Sequence, residues 1–231
     1  MKDSLAFSLA LDLLFNGQNM DYCERPISLD AMKQMAFFME LPAGSHVGVV
    51  APGGGRLVRS LVDRGYTVEA YEGRDECYRH LRTLFKDSPK VEIRRISALD
   101  DPMRREKKRF HALFCMDDLR AFREAQDWTS NVQMMLRSRG YFAYSQVSNQ
   151  LPTKKNTLSK DFELVGDYDV SEQTAKEIRE CYLGLDYWRP TDKDKDMASE
   201  TLQMIKSASS LRRSIMSGVS VRYVAWRKKN K

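Results

Sequence analysis

VGVVAPGGGRLVRSL, residues 47–61, decides how the rest of the chain is read. An apolar run ends at a proline and three glycines, and helix-forming residues follow. A turn alone does not need three glycines in a row. Residues without Cβ reach positive φ and let another group lie against the main chain. A helix beginning near Gly55 would add unpaired N–H groups and a partial positive charge at the same point. The segment therefore predicts strand, glycine loop and helix, with the loop as a place where a ligand touches backbone. A tight strand-to-helix turn is the alternative reading of the same glycines.

The next segment adds chemistry. YTVEAYE (66–72) reads as a strand, and it ends on Glu72, seventeen residues past Gly55. A carboxylate there can accept hydrogen bonds from both hydroxyls of a ribose. Glu69 competes for that role, but it lies mid-strand, too far from the loop at about 3.3 Å of rise per residue. A dinucleotide fingerprint would read G-x-G-x-x-G. Gly53 and Gly55 fit it, while Val58 occupies the third position. Loop, helix, strand and terminal acid together predict a nucleoside half-site.

Strand and helix continue to alternate. Helix is expected over 75–87, strand over 90–97, strand over 110–116, helix over 129–140 ending at Gly140, and strand over 141–147. That alternation predicts a parallel sheet with helices on both faces. Residues 4–15 and 28–40 precede it as two further helices. The second carries Ser28 as a cap and Leu29, Met32, Met35, Ala36 and Met39 at helical spacing. The end departs from the pattern: a strand over 161–170, helical stretches at 171–185 and 195–216, and a last strand over 220–229. In that strand Val221, Tyr223 and Ala225 share one face, and Arg222, Val224 and Trp226 the other.

Composition bounds the class. The chain has 231 residues, 42% of them hydrophobic, with 12 glycines and 7 prolines. That is a globular make-up with room for one large domain. No run of 18 apolar residues occurs, so no membrane span is expected. The N-terminal MKDSLAFSLALDLLF is broken by Asp3 and Asp12, and reads as an amphipathic helix rather than a secretory signal. Cys23, Cys77, Cys115 and Cys181 form no CxxC pair. No metal site or disulfide framework is expected, and reduced thiols point to a cytoplasmic protein. The net charge is +6. RREKKR (104–109) and RKKNK (227–231) together exceed it, so the remainder is slightly acidic.

The order of elements, with VVAPGGG, VEAYEGRD, ISALDD and FCMDD, resembles the class I (Rossmann-like) S-adenosylmethionine-dependent methyltransferases. The resemblance covers roughly 44–231. It implies an α/β, doubly wound, mostly parallel seven-stranded sheet, with an antiparallel last strand beside the fifth. It divides the chain into an N-terminal helical cover (1–41) and a methyltransferase domain (42–231) with a helical insertion at about 171–216. It implies S-adenosyl-L-methionine as cofactor and S-adenosyl-L-homocysteine as product. By the same resemblance Ala51, Pro52, Gly53, Gly54 and Gly55 wrap the methionine and ribose, and Glu72 holds the ribose hydroxyls. Tyr71 and Gly73 lie beside the adenine, with Leu99 and Asp100 at its amino group and Asp101 as the alternative acid. Met116 and Asp117 end the fourth strand beside the sulfonium. The family usually has an acid in the first strand just before the glycine loop. Gly48 and Val49 stand there, so Asp117 is left to orient the cofactor's amino group, or affinity is low.

Methyl transfer from a sulfonium is an in-line displacement, so alignment and a dry pocket matter more than a catalytic motif. A nitrogen or oxygen acceptor also loses a proton. Asp117 and Asp118 are the best-placed acids for that step, unless they cap the turn that follows. No NPPY-type motif for base methylation occurs. Cys115 sits in an apolar run and reads as core, and His46, His80 and His111 read as structural. SQVSN (145–149) and YWRP (187–190) are candidate acceptor contacts. A small molecule or peptide is the favoured acceptor. A nucleic acid held by 104–109 and 227–231, or a module without turnover, are the alternatives.

Overall fold

The computed structural model describes residues 41–73, 75–96, 109–115, 128–148, 157–182 and 215–230. The helices expected at 4–15 and 28–40, the segment carrying Leu99, Asp100 and Asp101, and Met116, Asp117 and Asp118 lie outside the described residues. So do Asn149, the YWRP cluster and most of the second helical stretch.

Seven strands form one sheet in the order β3-β2-β1-β4-β5-β7-β6. They are β1 (His46–Val50), β2 (Thr67–Glu72), β3 (Val91–Arg95), β4 (Phe110–Cys115), β5 (Leu136–Ser148), β6 (Phe162–Asp169) and β7 (Ser220–Lys228). The strands from β1 to β5 pair in parallel, and β7 runs antiparallel between β5 and β6. The helices are α1 (Arg56–Asp63), α2 (Asp75–Leu84), α3 (Trp128–Met135) and α4 (Ser171–Tyr182). The doubly wound sheet and its inserted last strand are those expected from the sequence.

The period of two along each strand divides the core into two layers. On one face Val47, Val49, Val68, Ala70 and Ala112 pack with Leu57, Val58 and Leu61 of α1, and with Tyr223 and Ala225 of β7. On the other, Val50, Leu113, Cys115, Phe142, Tyr144 and Val224 pack with Val132 and Met135 of α3. Burial on both faces is why the central strands read as continuous apolar runs. Cys115 is fully buried there, as its neighbours in sequence suggested.

One element differs from expectation. The helix expected to run to Gly140 ends at Met135, and β5 begins at Leu136. Lys228 caps this end, where its Nζ donates to the carbonyls of Gln133 and Leu136, and the Arg109 N–H donates to that of Met135. These are the carbonyls a continuing helix would need. Gly140 is therefore not a helix cap. A Cβ there would stand 3.0 Å from the Arg137 carbonyl oxygen and 3.2 Å from that of Phe110. Glycine gives β5 close passage by β4 where their register shifts, between Phe110 and Ala112.

Candidate functional site

The glycine loop lies at the C-terminal ends of the parallel strands, between β1 and α1. Its backbone is set by three residues with positive φ: Ala51 (51°), Gly53 (58°) and Gly55 (94°). The Gly55 N–H closes a turn on the Pro52 carbonyl at 3.0 Å, and the Ala51 N–H donates to the Tyr71 carbonyl at 2.9 Å. Alanine in the left-handed region costs about 1 kcal/mol, so the loop holds Ala51 against its preference.

Glu72 ends β2, and its Oε2 accepts the Gly53 N–H at 3.2 Å. The acid and the glycine loop are thus brought together, as the sequence predicted. The carboxylate is 2% exposed, so it closes on the loop rather than facing bulk water. The loop residues Pro52 to Gly55 are buried as well.

Gly55 answers part of the question the glycines raise. A Cβ there would meet Leu81 Cδ2 at 2.8 Å and Phe85 Cε2 at 3.0 Å. The chain's own α2 and the residue after it fill the space, so Gly55 is required by packing and by its φ. Ligand approach is left to Ala51–Gly54. Beyond Gly55, α1 has no acid in its first turn and opens on Arg56, whose Nε is buried without a hydrogen-bond partner. No carboxylate offsets the positive end of this helix from within its first turn.

The other expected contacts fall differently. The Tyr71 side chain points away from the loop, because adjacent strand residues face opposite sides. It is fully buried, donates to Glu69 Oε1 at 2.7 Å and meets Phe110 edge-on at 6.3 Å. Only its carbonyl serves the loop. Gly73 is exposed just beyond Glu72, opposite the Ile96 carbonyl of the neighbouring chain segment. In β1, Val49 is 1% exposed in the core, and a Cβ on Gly48 would stand 2.7 Å from Leu113 Cδ1. Neither position carries the acid that the family resemblance would put there.

Glu69 is three residues from Glu72 and so lies on the opposite face. It is 0% exposed and bound by Arg94 at 2.6 Å and Arg109 at 2.8 Å, with His46 Nε2 at 3.5 Å. Sequence reading removed it from the ligand site but missed this network. Its members come from β1, β2, β3 and the start of β4, and no local spacing reveals them. His111 stands nearby, with Arg137 Nη1 at 3.1 Å from its Nε2. On its other side the His46 N–H donates to its Nδ1 at 3.0 Å. Burial, and then Arg137, hold the His111 pKa below its ordinary value.

The described cations of the two basic patches, Arg109 and Arg227 to Lys229, lie at the end of the sheet opposite the glycine loop. Arg109 directly precedes β4, and Arg227 to Lys229 close β7 where it runs down to the starts of β5 and β6. Their charges are engaged internally. Arg109 pairs with Glu69, Arg227 with Glu163, and Lys228 and Lys229 donate to main-chain carbonyls. Residues 104–108 lie outside the described residues.

No family model matches the chain, and no curated protein is recognisably similar to it in sequence. Solved structures are similar in fold. One is phosphoethanolamine N-methyltransferase 2 of Haemonchus contortus, in complex with S-adenosyl-L-methionine. It is 13% identical with a TM-score of 0.70, over 99% of this chain and 57% of that one. A SAM-dependent methyltransferase of Thiobacillus denitrificans, bound to S-adenosyl-L-homocysteine, is 12% identical with a TM-score of 0.64, over 95% and 98%. The [4+2]-cyclase SpnF is 14% identical with a TM-score of 0.70, over 100% and 96%. At such identities the likeness is one of fold, and this chain has the class I methyltransferase fold.

Proposed function

We propose that the chain binds S-adenosyl-L-methionine at the loop between β1 and α1 and transfers its methyl group to a small-molecule acceptor. The observation that carries the reading is the Glu72 carboxylate held 3.2 Å from the Gly53 N–H, at the strand ends where this fold takes its ligands. A carboxylate and side-chain-free backbone at Gly53 and Gly54 suit a ribose, which offers two donors and needs close approach. Solved structures of this fold hold S-adenosyl-L-methionine or S-adenosyl-L-homocysteine, among them those of Haemonchus contortus and Thiobacillus denitrificans. When bound, the cofactor would supply an electrophilic methyl on a sulfonium. The chain's part is to grip the sugar through Glu72, seat the methionine end along Ala51–Gly54, and exclude water. Gly73, Leu99 and Asp100 are assigned to the adenine, and Met116 and Asp117 to the sulfonium end. Asp117 and Asp118 are assigned to the acceptor's proton.

A small molecule is preferred over nucleic acid. The described cations of the basic patches, Arg109 and Arg227 to Lys229, lie at the far end of the sheet and are engaged within the fold. A reading without turnover has its own support: β1 offers no acid at Gly48 or Val49, and a fold with this topology also serves a cyclase.

Calorimetry with S-adenosyl-L-homocysteine tests the site. The wild-type chain is expected to bind, and Glu72→Ala to bind about tenfold more weakly, the loss of hydrogen bonds to a charged group. No binding at about millimolar ligand, or unchanged affinity in the variant, would overturn the assignment. Incubation with methyl-labelled S-adenosyl-L-methionine and a metabolite extract separates transfer from binding alone. Label in a small product is the expected result.

A further inference from the structure

The glycine loop passes into α1 through a cation with nothing to bond. Arg56 is the first residue of α1, directly after Gly55. Its Nε is buried without a hydrogen-bond partner, and no ion pair of Arg56 occurs among the described residues. Arg59, three residues on, is exposed, as an arginine on an outer helix usually is. Arg56 is half-buried at the end nearer the loop. Helix side chains lean toward the helix N-terminus, which for α1 is the glycine loop. A buried donor on a charged group, left without an acceptor, is a standing cost to the folded chain. The first turn of α1 offers it no relief: it holds no acid, and its cap, Gly55, has no side chain to accept a bond. Glu72, the acid of the loop, is held by the Gly53 N–H and assigned to the ribose.

We infer that Arg56 reads the carboxylate of the cofactor's methionine end, so that this chain takes most of its hold on the amino-acid part from the acid and little from the amine. The inference rests on the reading of the loop as a cofactor site, with the methionine end along Ala51–Gly54, two residues from Arg56. S-adenosyl-L-methionine carries one anionic group, its α-carboxylate. Adenine and ribose are neutral, and the ammonium and sulfonium are positive. The protein's side matches that sign. β1 offers no acid to the ammonium at Gly48 or Val49, whereas Arg56 has an N–H in need of an acceptor. A guanidinium meets a carboxylate through paired N–H donors, stronger than bonds between neutral groups.

Calorimetry on the full chain compares S-adenosyl-L-homocysteine with its decarboxylated and its deaminated analogue. Wild-type protein is expected to lose about tenfold or more in affinity with the decarboxylated ligand, and less than about threefold with the deaminated one. Arg56→Met keeps the apolar stem without the guanidinium. It is expected to bind S-adenosyl-L-homocysteine about tenfold more weakly, yet the decarboxylated analogue within about twofold of wild type. Arg56→Lys keeps the charge but not the fork and should fall between. Arg59→Met removes the same charge from the exposed position and should leave affinity within about twofold. The melting temperature of ligand-free R56M should not fall, because an unmatched buried N–H is removed. Equal losses for both ligands in R56M would overturn the role and reduce Arg56 to packing. Equal losses in R56M and R59M would overturn it in favour of general charge. Unchanged S-adenosyl-L-homocysteine affinity in R56M, with Glu72→Ala still weakened, would overturn it and leave the site reading standing. Failure of wild-type protein to bind at all would overturn both.

Discussion

At the scale of single residues, glycines that look alike in the sequence answer different demands. Gly53 presents its N–H to Glu72, whereas Gly55 makes room for Leu81 and Phe85. Gly55→Val should therefore cost about 2–4 kcal/mol of stability, from a left-handed φ together with overpacking. Urea unfolding would measure it, and a change below about 0.5 kcal/mol would mean that α2 yields easily. The acid at Glu72 was legible because it ends a strand. The support under the loop was not, because Leu81 and Phe85 are 26 and 30 residues beyond Gly55 and look like any apolar helix positions. The same holds for Tyr71, whose place next to Glu72 suggests the ligand while its ring belongs to the other face.

At the scale of elements, charge does work that apolar packing usually does. Glu69 joins β1, β2, β3 and the start of β4 through His46, Arg94 and Arg109. Replacing it with alanine would leave two guanidiniums facing each other over a buried gap. Breaking a buried pair costs about 3–5 kcal/mol, and the low end applies here because both arginines are about one-third exposed. Glu69→Ala should therefore lower the urea midpoint far more than Glu92→Ala, whose carboxylate is 57% exposed. Lys228 caps α3 in the same spirit. Lys228→Met keeps the apolar stem but removes both donors, and should cost about 1–3 kcal/mol. If Lys228→Met proved neutral, the basic tail would be a solvated surface after all. The helix boundary at Met135 was illegible for this reason. RSRG reads as a helix end with a basic last turn and a glycine stop, yet the capping cation arrives from 92 residues away.

At the scale of the whole molecule, the parallel sheet followed from the alternation, and the reversed last strand from the resemblance to the class I methyltransferases. The hydrophobic period gave both faces of β7. Two histidines predict the acid response of the whole fold. His80 and His111 both bind protons more weakly in the folded chain than the ordinary value of 6.5 implies, mainly through burial. The unfolded chain then takes up protons first, so stability is full above about pH 7 and falls as pH drops through about 6.5. Urea midpoints at about pH 7.5 and 5.5 should differ, and the double variant H80Q/H111Q should narrow the gap; a gap unchanged by the double variant would assign it to other groups. The sheet also ends somewhere on each side. Its outer strands are β3 and β6. Open strands invite a second chain to add itself, which is how many sheet proteins begin to aggregate. β3 answers with Glu92, Arg94 and Arg95 in five residues, charges that an invading strand would have to strip of water. β6 breaks step between Leu164 and Gly166, so a straight newcomer could not stay in register along it. Leu164, half exposed beside that break, is where crowding between copies would first take hold when the protein is concentrated.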